Sequence, residues 1–192
     1  MTESPKDLNI LSDAEKEAMP EQNTEEDVQE QPEQPEQTEK GLLVAVDPGH
    51  QQYGNSELEP VGPGASEQKA KVAGGTSGVS TGTPEYELTL QVSMKLKDEL
   101  TNRGYDVLMI RETNDVNISN AERAQVANEA GADAFIRIHA NGSTDAGVSG
   151  MMTICQTPSN PYNGALYGES RLLAEQVLNH TVETTGARME RV

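Results

Sequence analysis

The sequence predicts an α/β domain with three layers, in which a largely parallel central sheet carries helices on both faces. Two observations lead to this prediction. Short apolar runs, which are typical of strands buried on both faces, alternate along the chain with longer segments of helical periodicity. Strands and helices that alternate in this way form parallel sheets connected by helical crossovers.

The first forty residues differ in composition from the rest of the chain. They contain 13 acidic and 3 basic residues, are rich in Glu, Gln and Pro, and include no aromatic residue. A segment of this composition buries too little apolar surface to offset the entropy lost when it is ordered. We therefore predict that residues 1–40 form a disordered acidic linker and that residues 41–192 form the folded domain.

Charge and hydropathy narrow the classes of function. The formal net charge is −18 at pH 7, whereas binding nucleic-acid phosphates requires clustered Lys and Arg, so we predict no nucleic-acid partner. No run approaches the roughly 20 apolar residues of a membrane span. No signal peptide is visible, so either the protein is cytosolic or its export signal lies outside these residues. The single Cys155 excludes an internal disulfide.

The first predicted strand covers residues 42–46, all of which are apolar. Residues 51–82 follow with seven glycines and almost no periodicity, which predicts a long loop that is either functional or partly disordered. A helix then starts with Thr83 as N-cap and Pro84 at the first helical position, and Gly104 ends it. One buried stripe is predicted from residues that recur every fourth position: Leu88, Val92, Leu96 and Leu100.

The second predicted strand covers residues 106–110, and a short helix follows it. Ser119 and Glu122 match a capping box, in which each side chain bonds the backbone N–H of the other residue. Gly131 stops this helix. The capping box therefore fixes where the second helix begins.

The last elements complete the predicted alternation. Residues 134–138 form the third strand and residues 151–155 the fourth, each as a short run of mostly apolar residues. The leucine pattern over residues 166–178 predicts a final helix. The predicted order is therefore strand, helix, strand, helix, strand, which favours the layered α/β class.

Two histidines stand where apolar runs stop. His50 follows the first strand after a Pro-Gly turn, and His139 follows the third strand directly. The carboxyl ends of parallel strands meet at one edge of a sheet, so both rings are expected there. Two imidazoles with a carboxylate form catalytic zinc sites. The alternatives are a polar surface histidine for His50 and a satisfied buried histidine for His139.

A third ligand would have to be a carboxylate near that edge. Glu85 and Glu87 are the candidates, because both stand at the start of the first helix. Glu85 lies in the first turn, whereas Glu87 points to a different side of the helix. Glu85 could instead complement the helix dipole. Asp47 could orient His50 or cap the turn.

Five short motifs occur in an order and at spacings that resemble one known family. Each motif alone is weak, but the set is specific and spans residues 42 to about 155. The chain resembles the zinc-dependent N-acetylmuramoyl-L-alanine amidases of the amidase_3 type. The motifs are Val46-Asp47-Pro48-Gly49-His50, Glu85-x-x-Leu88-Thr89-Leu90, Gly104-Tyr105-Asp106-Val107 with Arg111, Arg123 with Ala127-Asn128, and Ile138-His139-Ala140-Asn141.

The resemblance implies a three-layer α/β hydrolase with one zinc ion held by His50, Glu85 and His139. Members of the family cleave the amide between N-acetylmuramic acid and L-alanine in peptidoglycan, the polymer of the bacterial cell wall. By the same resemblance, the protein is expected to be extracellular or associated with the cell wall. Zinc would activate water for this reaction and polarise the scissile carbonyl.

The sequence departs from the family in two places. The family uses a second glutamate, on a strand near its C-terminus, as general acid/base, and no matching strand precedes Val192. Glu183 and Glu190 stand in a polar, helix-like context that does not match. The domain is therefore expected to be incomplete at its C-terminus, and the chain weak or inactive as an enzyme. Where the family more often has Ser, this chain has Arg137.

An alternative is a non-catalytic module that contains zinc or binds the cell wall. Such a module would share the metal-binding motifs and lack the general base. A glutamate-bearing strand downstream of Val192 would decide for the enzyme, because that strand supplies the missing acid/base group in the family.

Overall fold

The computed structural model describes residues 41–145 and 147–191, and every structural statement below refers to these residues. The predicted linker, residues 1–40, lies outside them. No helix in the described part of the chain combines the length and apolarity needed to cross a membrane. The elements follow in the order β1 Leu43–Pro48, β2 Asn55–Pro60, β3 Gln68–Val72, α1 Glu85–Asn102, β4 Asp106–Met109, α2 Asn120–Glu129, β5 Ala134–Ile138, β6 Met151–Met152, α3 Tyr167–Thr185 and β7 Met189–Arg191.

The central sheet has three parallel strands in the order β4-β1-β5. The chain moves from β1 to β4 in one direction across the sheet and returns past β1 to β5 in the other. Right-handed crossovers therefore put α1 and α2 on opposite faces of the sheet. This arrangement confirms the predicted α/β class with a parallel central sheet and helices on both faces.

Strand β1 lies at the centre of this sheet, and its residues 43–46 are apolar on both sides. Ala45 and Val46 have no exposed surface. Ala45 packs in a core cluster with Ile110 and with Ala127 of α2. Burial of both faces explains why β1 shows no alternation of polar and apolar residues.

The buried stripe predicted for α1 is wrong. Leu88 and Val92 are 42% and 43% exposed, whereas Glu85, Thr89 and Ser93 are buried. The Thr89 hydroxyl donates a hydrogen bond to the backbone oxygen that follows β1, at 2.8 Å. The small side chains of Thr89 and Ser93 let the helix approach β1 closely, so packing and this long-range hydrogen bond fix the inward face instead of the leucine repeat.

The helix ends agree closely with their sequence signals. Pro84, not Thr83, is the N-cap of α1, a shift of one residue. The capping box of Ser119 and Glu122 is present in full, with side chain–backbone distances of 3.1 and 2.7 Å. Gly104 follows the C-cap of α1 with φ +86°, a conformation that glycine adopts without strain.

The region after α2 differs from its prediction in length and type. The predicted fourth strand is reduced to β6, while α3 runs beyond the predicted residues 166–178. Gly186 has φ +68° and ends α3, so the chain can turn back and pair β7 in parallel with β6. Glu190 therefore lies on a strand, and the predicted helix-like context is wrong for it. Glu183 lies on α3 with an 81% exposed side chain.

The segment predicted as a long loop contains an antiparallel hairpin, formed by β2 and β3. Ion pairs connect its strands, Lys71 Nζ to Glu57 Oε2 at 2.8 Å and Lys69 to Glu59. The buried Glu59 carboxylate also accepts from the N–H of Ala121, in the first turn of α2, at 3.3 Å. Glu59 thus anchors the hairpin to a helix N-terminus, where negative charge is favoured.

Replacing Glu59 by alanine is expected to lower the free energy of unfolding by about 1–2 kcal/mol, because the first turn of α2 loses an acceptor. Glu57→Ala is the matched control, since its 71% exposed carboxylate forms a surface ion pair on the same hairpin. Its loss should be smaller. Urea unfolding of both variants measures the difference, and equal losses would contradict the anchoring role.

The contribution of Glu59 should also depend on pH. Burial raises the pKa of this carboxyl, but hydrogen bonds and attraction involving Lys69, Ser119 and Ala121 outweigh burial and leave the pKa below its usual value. A carboxyl whose pKa falls on folding stabilises the protein above its unfolded pKa of about 4.3. That stabilisation disappears as the pH falls through the folded pKa. The stability gap between wild type and Glu59→Ala should therefore shrink below about pH 4.3 in urea titrations.

Candidate metal centre

Strands β1 and β5 deliver the two histidines to one edge of the sheet. Pro48 of β1 pairs with Ile138 of β5, and His50 and His139 follow these residues. The two imidazole rings lie edge to face, with centroids 4.6 Å apart. Neighbouring parallel strands in this register place both rings above the same sheet end.

The carboxylate of Glu85 completes a group of three converging atoms. His50 Nε2 lies 3.2 Å from Glu85 Oε1, His139 Nδ1 lies 3.1 Å from the same oxygen, and the two nitrogens are 3.0 Å apart. Among the described residues, these three side chains form the group that could hold a metal ion. Glu87 is exposed and does not belong to it.

The spacing and chemistry of these atoms fit a small divalent cation. In a tetrahedral zinc site with bonds of about 2.0–2.1 Å, neighbouring ligand atoms lie about 3.3–3.4 Å apart. The observed spacings of 3.0–3.2 Å are slightly shorter. One proton can bridge only two of the three atoms at a time, whereas a cation would bind all three lone pairs.

His50 is held in a strained backbone conformation. Its φ is +62°. Within the described residues, it is the only non-glycine residue with a positive φ. Such strain persists only where the surroundings enforce it, and it is concentrated at functional sites. Gly49 permits this turn, because a Cβ there would lie 2.5 Å from Cε1 of the His139 ring.

A short stretch after β3 forms one wall of the centre. The His50 Nδ1–H donates to the carbonyl oxygen of Ala73 at 2.8 Å, which leaves the Nε2 lone pair free. The Thr76 N–H donates to Glu85 Oε2 at 2.9 Å. Gly75 has φ +78°, and a Cβ there would lie 3.0 Å from the His50 ring. Sequence reasoning did not identify this wall, although the Gly74-Gly75 pair marks a close approach.

The protonation states of Glu85 and His139 suit metal binding. Burial alone would raise the pKa of Glu85, but hydrogen bonds from the N–H groups of Ala140 and Thr76 and attraction to His50 outweigh it and lower that pKa. Burial also lowers the pKa of His139, against its hydrogen bond with Glu85. An ionised carboxylate and a neutral imidazole are the forms that bind metal.

Two buried arginines hold the turn that carries His50. The Nε of Arg111 donates to the Pro48 oxygen at 2.9 Å, and its Nη2 donates to the Gly49 oxygen at 3.1 Å. The Nη2 of Arg123 donates to the His50 oxygen at 3.0 Å. Burial and repulsion from Arg123, partly offset by attraction to a nearby carboxylate, lower the pKa of Arg111 to about 10. Guanidinium groups thus bind three successive carbonyl oxygens of this turn.

Among the described residues, the polar partners of the Asp47 carboxylate are arginines and not His50. This carboxylate has no exposed surface, and Oδ1 accepts from Arg123 Nη1 at 2.6 Å. Its other oxygen lies 3.2 Å from Nε of Arg137. The backbone oxygen of Ala73 orients the His50 ring in place of Asp47.

Comparison with known families identifies relatives of one kind. The family model described as N-acetylmuramoyl-L-alanine amidase, Amidase_3, matches residues 44–192. A sporulation-specific N-acetylmuramoyl-L-alanine amidase from Bacillus subtilis (strain 168) is 30% identical over 130 residues, which cover 67% of this chain and 43% of the relative. The N-acetylmuramoyl-L-alanine amidase CwlM from Bacillus licheniformis is 36% identical over 107 residues, which cover 55% and 34%. The chain therefore spans less than half the length of these relatives.

Solved structures agree with this similarity. The crystal structure of an N-acetylmuramyl-L-alanine amidase from Mycobacterium smegmatis superposes with a TM-score of 0.66 at 28% identity, over 77% of this chain and 67% of that one. The apo form of the corresponding enzyme from Mycobacterium abscessus has a TM-score of 0.68 at 24% identity, over 79% and 74%. The second comparison bears on the fold alone.

Proposed function

The chain belongs to the Amidase_3 family of N-acetylmuramoyl-L-alanine amidases, and from this premise we propose that it is part of a zinc-dependent peptidoglycan hydrolase. The bond cleaved is the amide between N-acetylmuramic acid and L-alanine. The observation that carries the proposal is the convergence of His50, Glu85 and His139, whose ligand atoms lie 3.0–3.2 Å apart.

In this proposal His50, Glu85 and His139 would hold one zinc ion. When bound, zinc would supply Lewis-acid chemistry, activating water and polarising the scissile carbonyl. The Ala73 oxygen fixes the tautomer of His50, and the N–H groups of Thr76 and Ala140 keep the Glu85 carboxylate ionised and oriented. No second carboxylate among the described residues joins the group, so the proposal leaves the acid/base step unassigned within them.

A polar cavity is lined by residues that follow β1, residues of β2 and residues that precede α2. Its volume is about 480 Å³, and its lining includes Gln51 but none of His50, Glu85 and His139. The side chains of Tyr53, Asn55 and Asn117 are in its wall and offer amide groups and an aromatic ring. Such groups suit the hydroxyls and amides of a glycan peptide. Since peptidoglycan is the proposed substrate, we also propose an extracellular or wall-associated location.

The experiment measures zinc content and hydrolysis by the same protein. The metal-free chain is loaded with zinc, and new L-alanine amino termini released from purified cell walls are labelled and counted. We expect one zinc ion per chain and release that depends on zinc. Long incubations are needed because we expect this chain to hydrolyse peptidoglycan slowly. His139→Ala is the control, since it removes a proposed ligand at the rim of the centre.

Two outcomes separate the proposal from its alternative. Zinc-dependent release that is absent in His139→Ala supports the amidase. Tight zinc or cell-wall binding without any release would instead support a non-catalytic module. Release that persists in the metal-free chain and in His139→Ala would contradict the zinc mechanism.

A further inference from the structure

Arg137 is a charged residue on the strand that leads to His139. It belongs to β5, two residues before His139, and its Cα pairs with that of Asp47 in β1. Its side chain is about one-third exposed, at 31%. The guanidinium has two contacts, with Nε 3.2 Å from Asp47 Oδ2 and Nη2 donating to Asn120 Oδ1.

The first contact balances a buried charge. Asp47 has no exposed surface, and its Oδ1 accepts a hydrogen bond from Arg123. Across residues 41–145 and 147–191, its Oδ2 accepts no hydrogen bond, so the ion pair with Arg137 offsets the charge on that oxygen. A buried carboxylate that loses a cationic partner is strongly destabilised. Without Arg137, we expect the Asp47 carboxylate to draw the Arg123 guanidinium out of its present position. The Nη2 of Arg123 donates to the carbonyl oxygen of His50.

The second contact reaches the wall of the metal centre. Asn120 accepts from Arg137 and donates through Nδ2 to the carbonyl oxygen of Lys71 at 2.8 Å. Lys71 lies on β3, two residues before Ala73, whose carbonyl oxygen orients the His50 ring. The Arg137 guanidinium is therefore connected to His50 by a second route, through the hairpin.

We propose that Arg137 is a positioning residue for the metal centre. It contacts Asp47 on one side and Asn120 on the other, and so holds the turn that carries His50 in the geometry that binds zinc. This inference rests on the proposed function, because it assumes that zinc binds at His50, Glu85 and His139. A purely electrostatic role has the opposite consequence, since a nearby cation repels a dication and its removal would strengthen zinc binding.

Zinc affinity of the full chain tests the inference by competition with a chromophoric chelator. Arg137→Met should weaken zinc binding about 10-fold, the effect typical of lost partners behind metal ligands. Arg137→Lys should have an intermediate affinity, because one ammonium group cannot reach both Asp47 and Asn120. Arg103→Met is the matched control: its 66% exposed side chain pairs with Glu99 on the surface of α1, and wild-type affinity is expected.

Thermal unfolding of the metal-free variants separates positioning from a merely structural role. A structural role would lower the unfolding temperature and leave the zinc affinity of the folded protein unchanged. Unchanged or tighter binding by Arg137→Met overturns the inference. If that variant does not fold, wild-type affinity in Arg137→Lys overturns it instead. A wild-type chain that binds no zinc would refute the proposed function itself, and the inference with it.

Discussion

Replacing Glu85 by alanine is expected to lower zinc affinity by more than about 100-fold, because even the loss of a partner behind a metal ligand costs about 10–100-fold. The substitution removes the single anionic donor of the converging group. It also leaves the N–H groups of Thr76 and Ala140 without their carboxylate acceptor, which loosens the wall around the histidines. Equilibrium dialysis with zinc and a metal assay measures the loss.

Glu87→Ala is the matched control for this prediction. Glu87 lies in the same first turn of α1, carries the same charge and is exposed, so wild-type zinc binding is expected. The two variants have equal net charge. A difference in zinc affinity between them therefore results from the position of the lost carboxylate and not from the change in charge. Full zinc occupancy in Glu85→Ala together with loss in Glu87→Ala would mean that the other carboxylate is the ligand.

The parts of the fold that sequence could predict are those whose signals are local. Strand β5 has the predicted bounds, Ala134–Ile138, because its apolar run ends at the sheet edge. The capping box at Ser119 needs only residues three positions apart, so the local sequence predicts it in full. The positions of His50 and His139 at the sheet edge follow from two such strands and from the parallel pairing rule.

The parts that sequence could not predict depend on contacts between distant residues. Thr89 faces inward because its hydroxyl bonds Gly49, 40 positions away in the chain. The hairpin within residues 51–82 has a local alternation of Glu and Lys, but its docking depends on Glu59 meeting α2. Ala73 acts through its backbone oxygen, so the identity of its side chain carries no signal for the role.

The strained turn at His50 explains why two arginines are buried beneath the metal centre. A positive φ at a non-glycine residue costs about 1–3 kcal/mol and persists only when its surroundings enforce it. Arg111 and Arg123 bind the carbonyl oxygens of Pro48, Gly49 and His50, so the strain is offset by charge-assisted hydrogen bonds. The geometry of the centre and the stability of the domain therefore depend on the same contacts.

Arg123→Met is accordingly expected to lower the free energy of unfolding by about 3–5 kcal/mol, the cost of breaking a buried ion pair from one side. Arg123 is fully buried, and its removal leaves the Asp47 carboxylate with one cation and the His50 oxygen without its donor. Combining it with Asp47→Asn should recover part of the loss, because the uncompensated charge is then absent. Arg103→Met, at the C-cap of α1, is the control for removing an exposed arginine. Urea unfolding of the metal-free variants measures each loss, and a decrease below about 1 kcal/mol in Arg123→Met would show that the turn is held by other contacts.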